Sequence, residues 1–541
     1  MGEKVEGHGG HLALAALRGF GVREMFTLSG GHVFPLYDAA QATEGAVRIV
    51  DVRHEQSAVF AAEAVAKLQR RPSLAVLTAG PGVTNGISGL TSAYFNGAPV
   101  VVLGGRAPQF RWGSGSLQEI DHVPIVAPVT KHAATVASTD DVYAAVHQAA
   151  VTALTAHRGP VFLDLPLDVI FSYGEGVEPG TAVPVTAPDP EDVARAAALL
   201  AAAQRPVIIA GSDVYAGDAT AALREAAEAL HIPVFTNGMG RGSLPPGHPL
   251  TFAKARRAAL RGADVVCVVG TPLDFRLAFG DFGAARVVHL ADSAEGVAAH
   301  RPLAASASGD LAAILDGLAG WAGDRDSHQP WLDRLRAAED AARARDEELL
   351  GGGGPVIRPP AVYGALRSRL ERDAVVIGDG GDFVSYAGKF VDSFQPGCWL
   401  DPGPYGCLGT GLGYAIAARV ARPSSQVVLL LGDGAAGFSL MDVDTLVRHD
   451  LPVVMVVGNN GGWGLEKHPM RAIYGYDVAA ELRPETRYDE VVRALGGAGE
   501  TVRDPGEIGP ALDRALASGA PYLVNVLTDP TDAYPRSANL A

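Results

Sequence analysis

The sequence of 541 residues predicts an α/β protein of three doubly wound domains, each a parallel sheet covered by helices. Three observations predict this fold class. The chain is too long for one hydrophobic core and fits about three domains of ordinary size. Short apolar runs alternate with helical patterns along its length. Two segments that lack this alternation, near residues 173–190 and 347–360, are rich in Gly and Pro and indicate linkers.

Each third of the chain contributes four short apolar runs, which we interpret as buried parallel strands. In order they are VRIVDV, SLAVLTAG, PVVVLGG and PVFLDLP, then RPVIIAGSDV, IPVFTNG, DVVCVVGT and RVVHLAD, and finally AVVIGDGG, QVVLLLGDG, PVVMVVGNN and PYLVNVLT. The breaks between them predict domains at residues 1–175, 188–325 and 355–541. The first and last thirds are similar in size and strand rhythm.

The composition excludes several classes of protein. A hydrophobic content of 48% with 19% charged residues is typical of a soluble, well-buried globular chain, and the formal net charge of −16 argues against nucleic acid as a partner. Cys267, Cys398 and Cys407 are far apart, so neither a zinc site nor a disulfide scaffold is indicated. The polar start and the lack of a run of about 20 apolar residues predict no signal peptide, no membrane span and a cytoplasmic location.

The segment 429–466, LLLGDGAAGFSLMDVDTLVRHDLPVVMVVGNNGGWGLE, is the most informative part of the chain. It predicts a buried strand, a Gly-Asp-Gly turn, an amphipathic segment and a second strand that ends at Asn459. Such a turn lets backbone amides approach a diphosphate, while Asp433 offers an oxygen to a divalent cation. Asn460 and the carbonyl of Gly462 can supply further oxygens of an octahedral Mg²⁺ site. Taken singly, Asp433 is more often an ordinary turn residue, and Asn459-Asn460 more often a polar loop after a strand.

Gly-Asp-Gly followed after about two dozen residues by Asn-Asn resembles the diphosphate-binding motif of thiamine diphosphate (ThDP) enzymes. The three-domain layout also resembles the ThDP decarboxylase and carboligase superfamily, which has pyrimidine-binding, central and diphosphate-binding domains. The resemblance implies ThDP and Mg²⁺ as cofactors, bound between two subunits, so that a homodimer is the minimum and a homotetramer is common. The residues implied at the diphosphate are Gly432, Asp433, Gly434, Ala435, Asn460 and Gly462, of which Asp433, Asn460 and Gly462 are the implied metal ligands.

Three further motifs resemble other parts of a ThDP site. Glu55, in RHEQ after a predicted strand, matches the family's glutamate that hydrogen-bonds N1′ of the aminopyrimidine; it is otherwise a helix-start charge favoured by the dipole. Gly80 lies in TAGPGVTN, which resembles a turn near the pyrimidine. Gly406 and Leu408 match the positions that accept the 4′-amine and wedge the cofactor into its bent shape. The loop GDGGDF, residues 378–383, resembles a cap on the diphosphate.

Glu466 is the most telling residue for the reaction. It lies six residues beyond Asn460, where a short helix is predicted. The pyruvate decarboxylase family also has a glutamate at this spacing, whereas acetolactate synthases usually have an apolar residue. Alternatively, Glu466 is a solvated charge paired with Lys467 or His468.

Nearly the whole chain resembles the acetolactate synthase-like branch that contains the 2-hydroxyacyl-CoA lyases, notably at residues 256–280, GGHVFPLYD and GDGGDFVSYAG. Gln118-Glu119 departs from the Tyr-Glu of oxalyl-CoA decarboxylases, and Leu412-Gly413 departs from the Leu-Pro of acetolactate synthases. The resemblance implies reversible cleavage of a 2-hydroxyacyl-CoA to formyl-CoA and an aldehyde or ketone. Glu466 would then act as both base and acid.

The remaining expectations concern the substrate and rival functions. The residues expected to line the substrate pocket are His32, Gln118, Trp463 and Leu465. A lone histidine such as His32 is equally a structural residue, and Arg536 is either a contact for a CoA phosphate or a solvated tail residue. The central domain is expected to be able to bind ADP. An acetolactate synthase-like carboligase acting on pyruvate, with FAD, and a non-catalytic homologue are the alternatives.

Overall fold

A computed structural model describes residues 4–43, 45–178, 180–321, 325–352 and 354–535. Its strands are β1 (Lys4–His8), β2 (Glu24–Thr27), β3 (Arg48–Asp51), β4 (Ser73–Leu77), β5 (Val100–Arg106), β6 (His132–Thr135), β7 (Val161–Pro166), β8 (Tyr173–Val177), β9 (Pro206–Ala210), β10 (Val234–Thr236), β11 (Val265–Val269), β12 (Arg286–Ala291), β13 (Ala305–Ser308), β14 (Val375–Asp379), β15 (Trp399–Leu400), β16 (Val427–Gly432), β17 (Val454–Asn459), β18 (Ala498–Val502) and β19 (Tyr522–Leu527).

The α-helices are α1 (Gly9–Arg18), α2 (Phe34–Ala42), α3 (Glu55–Gln69), α4 (Pro81–Asn85), α5 (Ile87–Phe95), α6 (Val123–Val126), α7 (Val142–Leu154), α8 (Leu167–Phe171), α9 (Pro190–Ala201), α10 (Ser212–Ala216), α11 (Thr220–Leu230), α12 (Arg256–Gly262), α13 (Leu311–Ala319), α14 (Arg325–Leu350), α15 (Pro359–Arg367), α16 (Asp382–Phe390), α17 (Thr410–Ala421), α18 (Asp433–Ser439), α19 (Val443–Arg448), α20 (Gly464–Tyr474), α21 (Tyr488–Ala494) and α22 (Ile508–Ala517). Within the described ranges, none of them combines the length and the apolar character that a bilayer crossing needs.

Three parallel sheets confirm the predicted fold class, and all twelve predicted runs form strands. The first sheet has the order β3-β2-β4-β5-β7-β6, the central sheet β10-β9-β11-β12-β13, and the last β15-β14-β16-β17-β19-β18. The first and last sheets therefore share one topology. Because the strands of each sheet are parallel, the loops after their carboxyl ends gather at one edge, where ligands bind in folds of this class.

The chain forms regular secondary structure at two of the predicted domain limits. The first five residues of the predicted linker at 173–190 form β8, which pairs antiparallel with β1 and ties the start of the chain to the first domain. Helix α14 begins where the central domain was expected to end. Trp331 and Leu335 on this helix belong to the core of the central domain, whereas Leu350 at its end belongs to the core of the last domain.

The first and last domains pack directly on each other through α3 and α17. A Cβ on Gly413 would lie 2.8 Å from Cβ of Phe60 and 2.9 Å from the carbonyl oxygen of Ser57, so a glycine allows the two helices to approach closely. Further along, the Tyr414 hydroxyl donates to Oε1 of the buried Glu63 across the same junction at 2.7 Å. This packing brings the start of α3 beside the start of α17.

Candidate functional site

Asp433 lies where β16 ends and α18 begins, as the Gly-Asp-Gly pattern predicts. Its side chain is buried; Oδ2 accepts from the Gly461 amide at 2.7 Å, and Oδ1 accepts from the Gly434 amide at 3.0 Å. Burial raises the pKa of Asp433 to about 6, although the amides of Gly461 and Gly434 act in the opposite direction. A bound cation would offset the cost of burying this charge.

The structure separates the two asparagines that follow β17. Asn459 holds the end of the strand, because its Nδ2 donates to the Thr486 carbonyl at 3.0 Å and to Oδ1 of Asn525 at 3.1 Å. Asn460 belongs to the adjoining loop, where its Oδ1 accepts from the Gly462 amide at 3.1 Å. Since the same loop donates to Asp433, the three residues expected at the metal come from two connected loops.

Two glycine loops after neighbouring strands face each other at this edge of the sheet. A Cβ on Gly380 would lie 2.9 Å from Cβ of Ala435 and 3.2 Å from the Gly432 amide nitrogen. The two loops therefore approach so closely at Gly380 that no side chain fits between them. The buried carboxylate of Asp433 and this glycine-lined approach fit a metal-bound diphosphate.

The first turn of α20 lies across both glycine loops. The ring of Trp463 covers Gly434, where an added Cβ would lie 2.6 Å from the ring, and Leu465 covers Gly381 at 2.9 Å from an added Cβ. The Trp463 amide donates to the Ala480 carbonyl at 2.8 Å, which fixes the entry to the helix. Glu466 follows on the same turn and is exposed.

Asp379, the last residue of β14, anchors the start of α17, a role that the sequence motif did not predict. Its fully buried carboxylate accepts from the amides of Gly409 at 3.1 Å and Gly411 at 2.8 Å. Burial raises the pKa of Asp379 to about 7, while these amides oppose the shift. The loop before α17 carries Gly406, with a φ of +68° that favours glycine, and Leu408, which packs on the core shared with α3.

Glu55 opens α3 as predicted, and its carboxylate is buried. Its Oε2 accepts from Nδ2 of Asn85 at 3.0 Å, so its partner comes from the TAGPGVTN motif, where only backbone packing was expected. The start of α3 is also joined to the last domain, because the Ser57 hydroxyl donates to Oδ2 of Asp442 at 2.5 Å and the Arg53 amide donates to Oδ1 at 2.8 Å.

Three predicted residues of the first domain meet at the carboxyl edge of its sheet. Gly80 has a φ of +60°, and an added Cβ would lie 2.8 Å from Cβ of Gln118, which itself has a φ of +61°. His32 is buried, with Nδ1 3.3 Å from Oγ1 of Thr78, and burial lowers the pKa of His32. The contacts given for Trp463 are with residues of the last domain, whereas those given for His32, Gly80 and Gln118 are with residues of the first domain. None of these contacts joins the two groups.

The central domain contains a cleft of about 760 Å³ for which the sequence offered no decisive phosphate loop. It opens at the carboxyl ends of the paired strands β9 and β11, where the strand order reverses, which is the position at which doubly wound sheets bind ligands. The residues that line it include Ser212, Asp213, Gly270, Thr271, Arg276 and Asp292 of the central domain, and Lys131, His157 and Arg158 of the first domain. The pKa of His157 is raised to about 9: burial acts to lower it, but nearby Asp213 and Asp292 outweigh burial.

The first and last domains share one topology. The last domain carries Asp433 in its Gly-Asp-Gly loop, and the first carries the buried Glu55. This arrangement is the architecture of enzymes that use thiamine diphosphate. Comparison with known families agrees with this class. Residues 7–125, 193–318 and 379–526 match the N-terminal TPP binding, central and C-terminal TPP binding domains of thiamine pyrophosphate enzymes. The chain belongs to the thiamine pyrophosphate enzyme family.

Similar proteins carry two different names. The chain is 54% identical over 540 residues to the acetolactate synthase large subunit IlvG of Mycobacterium tuberculosis, covering 99% of this chain and 98% of that protein. It is 34% identical to 2-hydroxyacyl-CoA lyase 2 of Caenorhabditis elegans, covering 98% and 91%, and 32% identical to the protein of that name in Homo sapiens, covering 97% and 90%. The family is therefore shown, whereas the substrate needs a separate argument.

Proposed function

We propose that this chain binds ThDP and Mg²⁺ at the loops after β14, β16 and β17. The buried carboxylate of Asp433 carries the proposal, because a cation beside it would balance its charge. Asn460 and the Gly462 carbonyl would complete the protein ligands, and Leu408 would support the bent cofactor. Bound ThDP supplies a nucleophilic carbon and an electron sink for reactions at carbonyl groups. Glu55, oriented by Asn85, would hold the proton at N1′ of the aminopyrimidine.

We propose further that the substrate is a 2-hydroxyacyl-CoA, which is cleaved reversibly to formyl-CoA and an aldehyde or ketone. The proposal is supported by the relatives named 2-hydroxyacyl-CoA lyase 2 and by a carboxylate at Glu466, on the turn that covers both glycine loops. Glu466 takes the proton of the 2-hydroxyl as the C1–C2 bond breaks, and it returns a proton to C1. That transfer balances the reaction, since formyl-CoA carries at C1 the hydrogen that the hydroxyl loses. His32 and Gln118 would contact the acyl group.

A carboligase that joins two pyruvates is the second candidate. The observation in its favour is the 54% identity to a protein named as an acetolactate synthase. Such an enzyme needs no CoA site and would be expected to carry FAD, so the purified protein would be yellow.

A product assay on enzyme loaded with ThDP and Mg²⁺ separates the two candidates. Formyl-CoA from a short 2-hydroxyacyl-CoA supports the lyase; acetolactate from pyruvate, with no formyl-CoA, replaces it by the carboligase. Glu466→Gln should lower kcat for the lyase reaction about 10²-fold, within the usual range of acid–base catalysis. Glu507→Gln, which alters an exposed glutamate at the start of α22, is the matched control and should keep wild-type turnover. Equal turnover of both variants would remove Glu466 from the mechanism.

The assembly and the central cleft complete the proposal. We propose a cytoplasmic homodimer at least, and a homotetramer by analogy with the family, together with an adenine nucleotide such as ADP in the cleft beside Lys131, Arg158 and Arg276. Sedimentation velocity measures the assembly, and calorimetric titration with ADP measures the cleft, with Arg276→Ala expected to weaken binding. Arg536, expected near a CoA phosphate, lies outside the described residues and stays a prediction.

A further inference from the structure

A buried histidine that the proposed mechanism does not use lies directly beneath the Gly80 turn. His122 and Asp164 are both 0% exposed. Nε2 of His122 is 2.9 Å from the Gly80 amide nitrogen, and Nδ1 is 2.8 Å from Oδ1 of Asp164. Since the amide can only donate, Nε2 must accept and Nδ1 must carry the proton that it donates to Asp164. One neutral tautomer thus joins a backbone amide to a buried carboxylate.

The carboxylate is held in turn by Arg106. Nη1 of Arg106 is 2.7 Å from Oδ2 of Asp164 and 3.1 Å from Oδ1 of Asp121, and its guanidinium lies 3.8 Å from the centre of the Trp112 ring. Asp164 lies on β7 and Arg106 ends β5, which are neighbours in the sheet. Separating Arg106 from Asp164 would leave an uncompensated buried charge, so the two side chains should stay paired.

The chain of contacts ends at a turn whose conformation needs support. Gly80 and Gln118 both have φ values near +60°, which for the non-glycine Gln118 is an unfavourable conformation. The two residues are in contact, since a Cβ on Gly80 would lie 3.0 Å from the Gln118 carbonyl oxygen. His122 lies four residues after Gln118, so its backbone is connected to one side of the turn. Its side chain accepts from the Gly80 amide on the other side.

We propose that His122, Asp164 and Arg106 form a positioning relay that fixes the Gly80–Gln118 turn and thereby sets the affinity for substrate. This inference rests on the proposed function, in which Gln118 lines the substrate pocket. The relay touches no reacting atom, so its loss should raise KM with a smaller effect on kcat. A displacement of about 1 Å at a binding group can lower activity up to 10²-fold.

Three substitutions of His122 separate the relay from a merely structural role. In His122→Gln the amide can accept from Gly80 and donate to Asp164. In His122→Asn the shorter amide reaches Asp164 but not Gly80, which keeps the buried carboxylate paired and favours folding. His122→Leu provides neither bond. His328→Leu is the matched control, because His328 is also 0% exposed and hydrogen-bonds two backbone carbonyls, in the central domain.

Two readouts test the relay on the full enzyme: KM and kcat with the substrate found in the product assay, and hydrogen–deuterium exchange of a peptide spanning residues 78–85. We expect His122→Asn and His122→Leu to raise KM about 10- to 100-fold and to speed exchange at Gly80. His122→Gln should stay within about threefold of wild type. His328→Leu should lose thermal stability without a change in either readout.

The proposal is overturned if His122→Asn keeps the wild-type KM and the slow exchange of Gly80. It is equally overturned if His328→Leu raises KM as much as His122→Leu does, because the effect would then be one of general destabilisation. If the wild type turns over neither a 2-hydroxyacyl-CoA nor pyruvate, the proposed function fails. The exchange measurement still decides whether His122 holds the turn.

Discussion

Adding one methyl group at Gly434 tests whether the contact between α18 and Trp463 matters for cofactor binding. In Gly434→Ala the new Cβ would lie 2.6–2.8 Å from three atoms of the Trp463 ring. Gly437 lies on the same helix, is exposed, and its added Cβ would meet nothing within 4 Å. Gly437→Ala is therefore a control that differs only in the contact.

The expected magnitude follows from two opposing terms. Replacing glycine by alanine within a helix stabilises by about 1 kcal/mol at either position. Overpacking against the rigid indole destabilises by about 1–3 kcal/mol at Gly434 alone. We therefore expect Gly437→Ala to raise the free energy of unfolding by up to about 1 kcal/mol, and Gly434→Ala to lie about 1–3 kcal/mol below that control.

The same strain should reach the cofactor, because Trp463 begins the turn that covers the glycine loops. If the 1–3 kcal/mol is released by shifting the loop, the affinity for ThDP with Mg²⁺ falls about 5- to 150-fold. Calorimetric titration measures this affinity, and thermal unfolding of the metal-free protein measures stability. Trp463→Leu should make room for the new methyl, so the double variant Gly434→Ala with Trp463→Leu should lose less stability than the two single effects added together.

Two outcomes would refute this reasoning. If Gly434→Ala and Gly437→Ala have the same stability and the same cofactor affinity, the indole moves aside at no cost. If the two effects in the double variant are additive, the strain does not arise from the Trp463 ring. Either result would mean that the start of α20 is not held against the diphosphate loop.

Two further predictions concern charge and hydrogen bonding. Because burial raises the pKa of Asp433 to about 6, a proton should compete with Mg²⁺ below that pH. The Mg²⁺ affinity should be constant above about pH 7 and fall about tenfold per unit below pH 6, as measured by titrations between pH 5 and 8. An affinity that stays level down to pH 5 would contradict it. Tyr414→Phe removes the hydroxyl that donates to the buried Glu63, so it should cost about 1.5–3 kcal/mol of stability in denaturant unfolding, while Tyr476→Phe, at an exposed tyrosine, should cost nothing measurable.

Ten of the twelve strands that the sequence predicted have neighbours on both sides; β3 and β10 are at sheet edges, and the interior strand β2 was missed. The apolar runs of the ten reflect burial on both faces of a parallel sheet, as in β9, β11 and β16. The strands it missed include β6 and β13, which lie at sheet edges and consist of HAAT and ASAS. Edge strands have one partner and partial exposure, so small and polar residues suffice and leave no apolar pattern to detect.

The residues of the site also divide into those that a local motif identifies and those that it does not. Asp433, Asn460 and Glu55 lie next to strand ends, so a local motif was enough to single them out. The carboxylate of Asp379 binds amides 30 and 32 residues later in the chain, and the contacts of His122 and Asp164 join residues 42 and 58 positions apart. No local spacing encodes such contacts, because they depend on which strands become neighbours in the sheet.

This difference also explains why similarity along the whole chain shows the family but not the substrate. Most residues expected at the cofactor lie on the glycine loops, two of which meet backbone to backbone, while Glu55 opens α3. The residues expected at the substrate, among them His32, Gln118 and Glu466, come from two domains, and those of the first domain are held by buried contacts beneath them. A few changes there would alter the substrate while leaving the fold and cofactor loops intact, since pocket contacts determine specificity. Relatives with two different names are therefore compatible with one fold and one cofactor, and assays of the substrate-side residues are what distinguish the two functions.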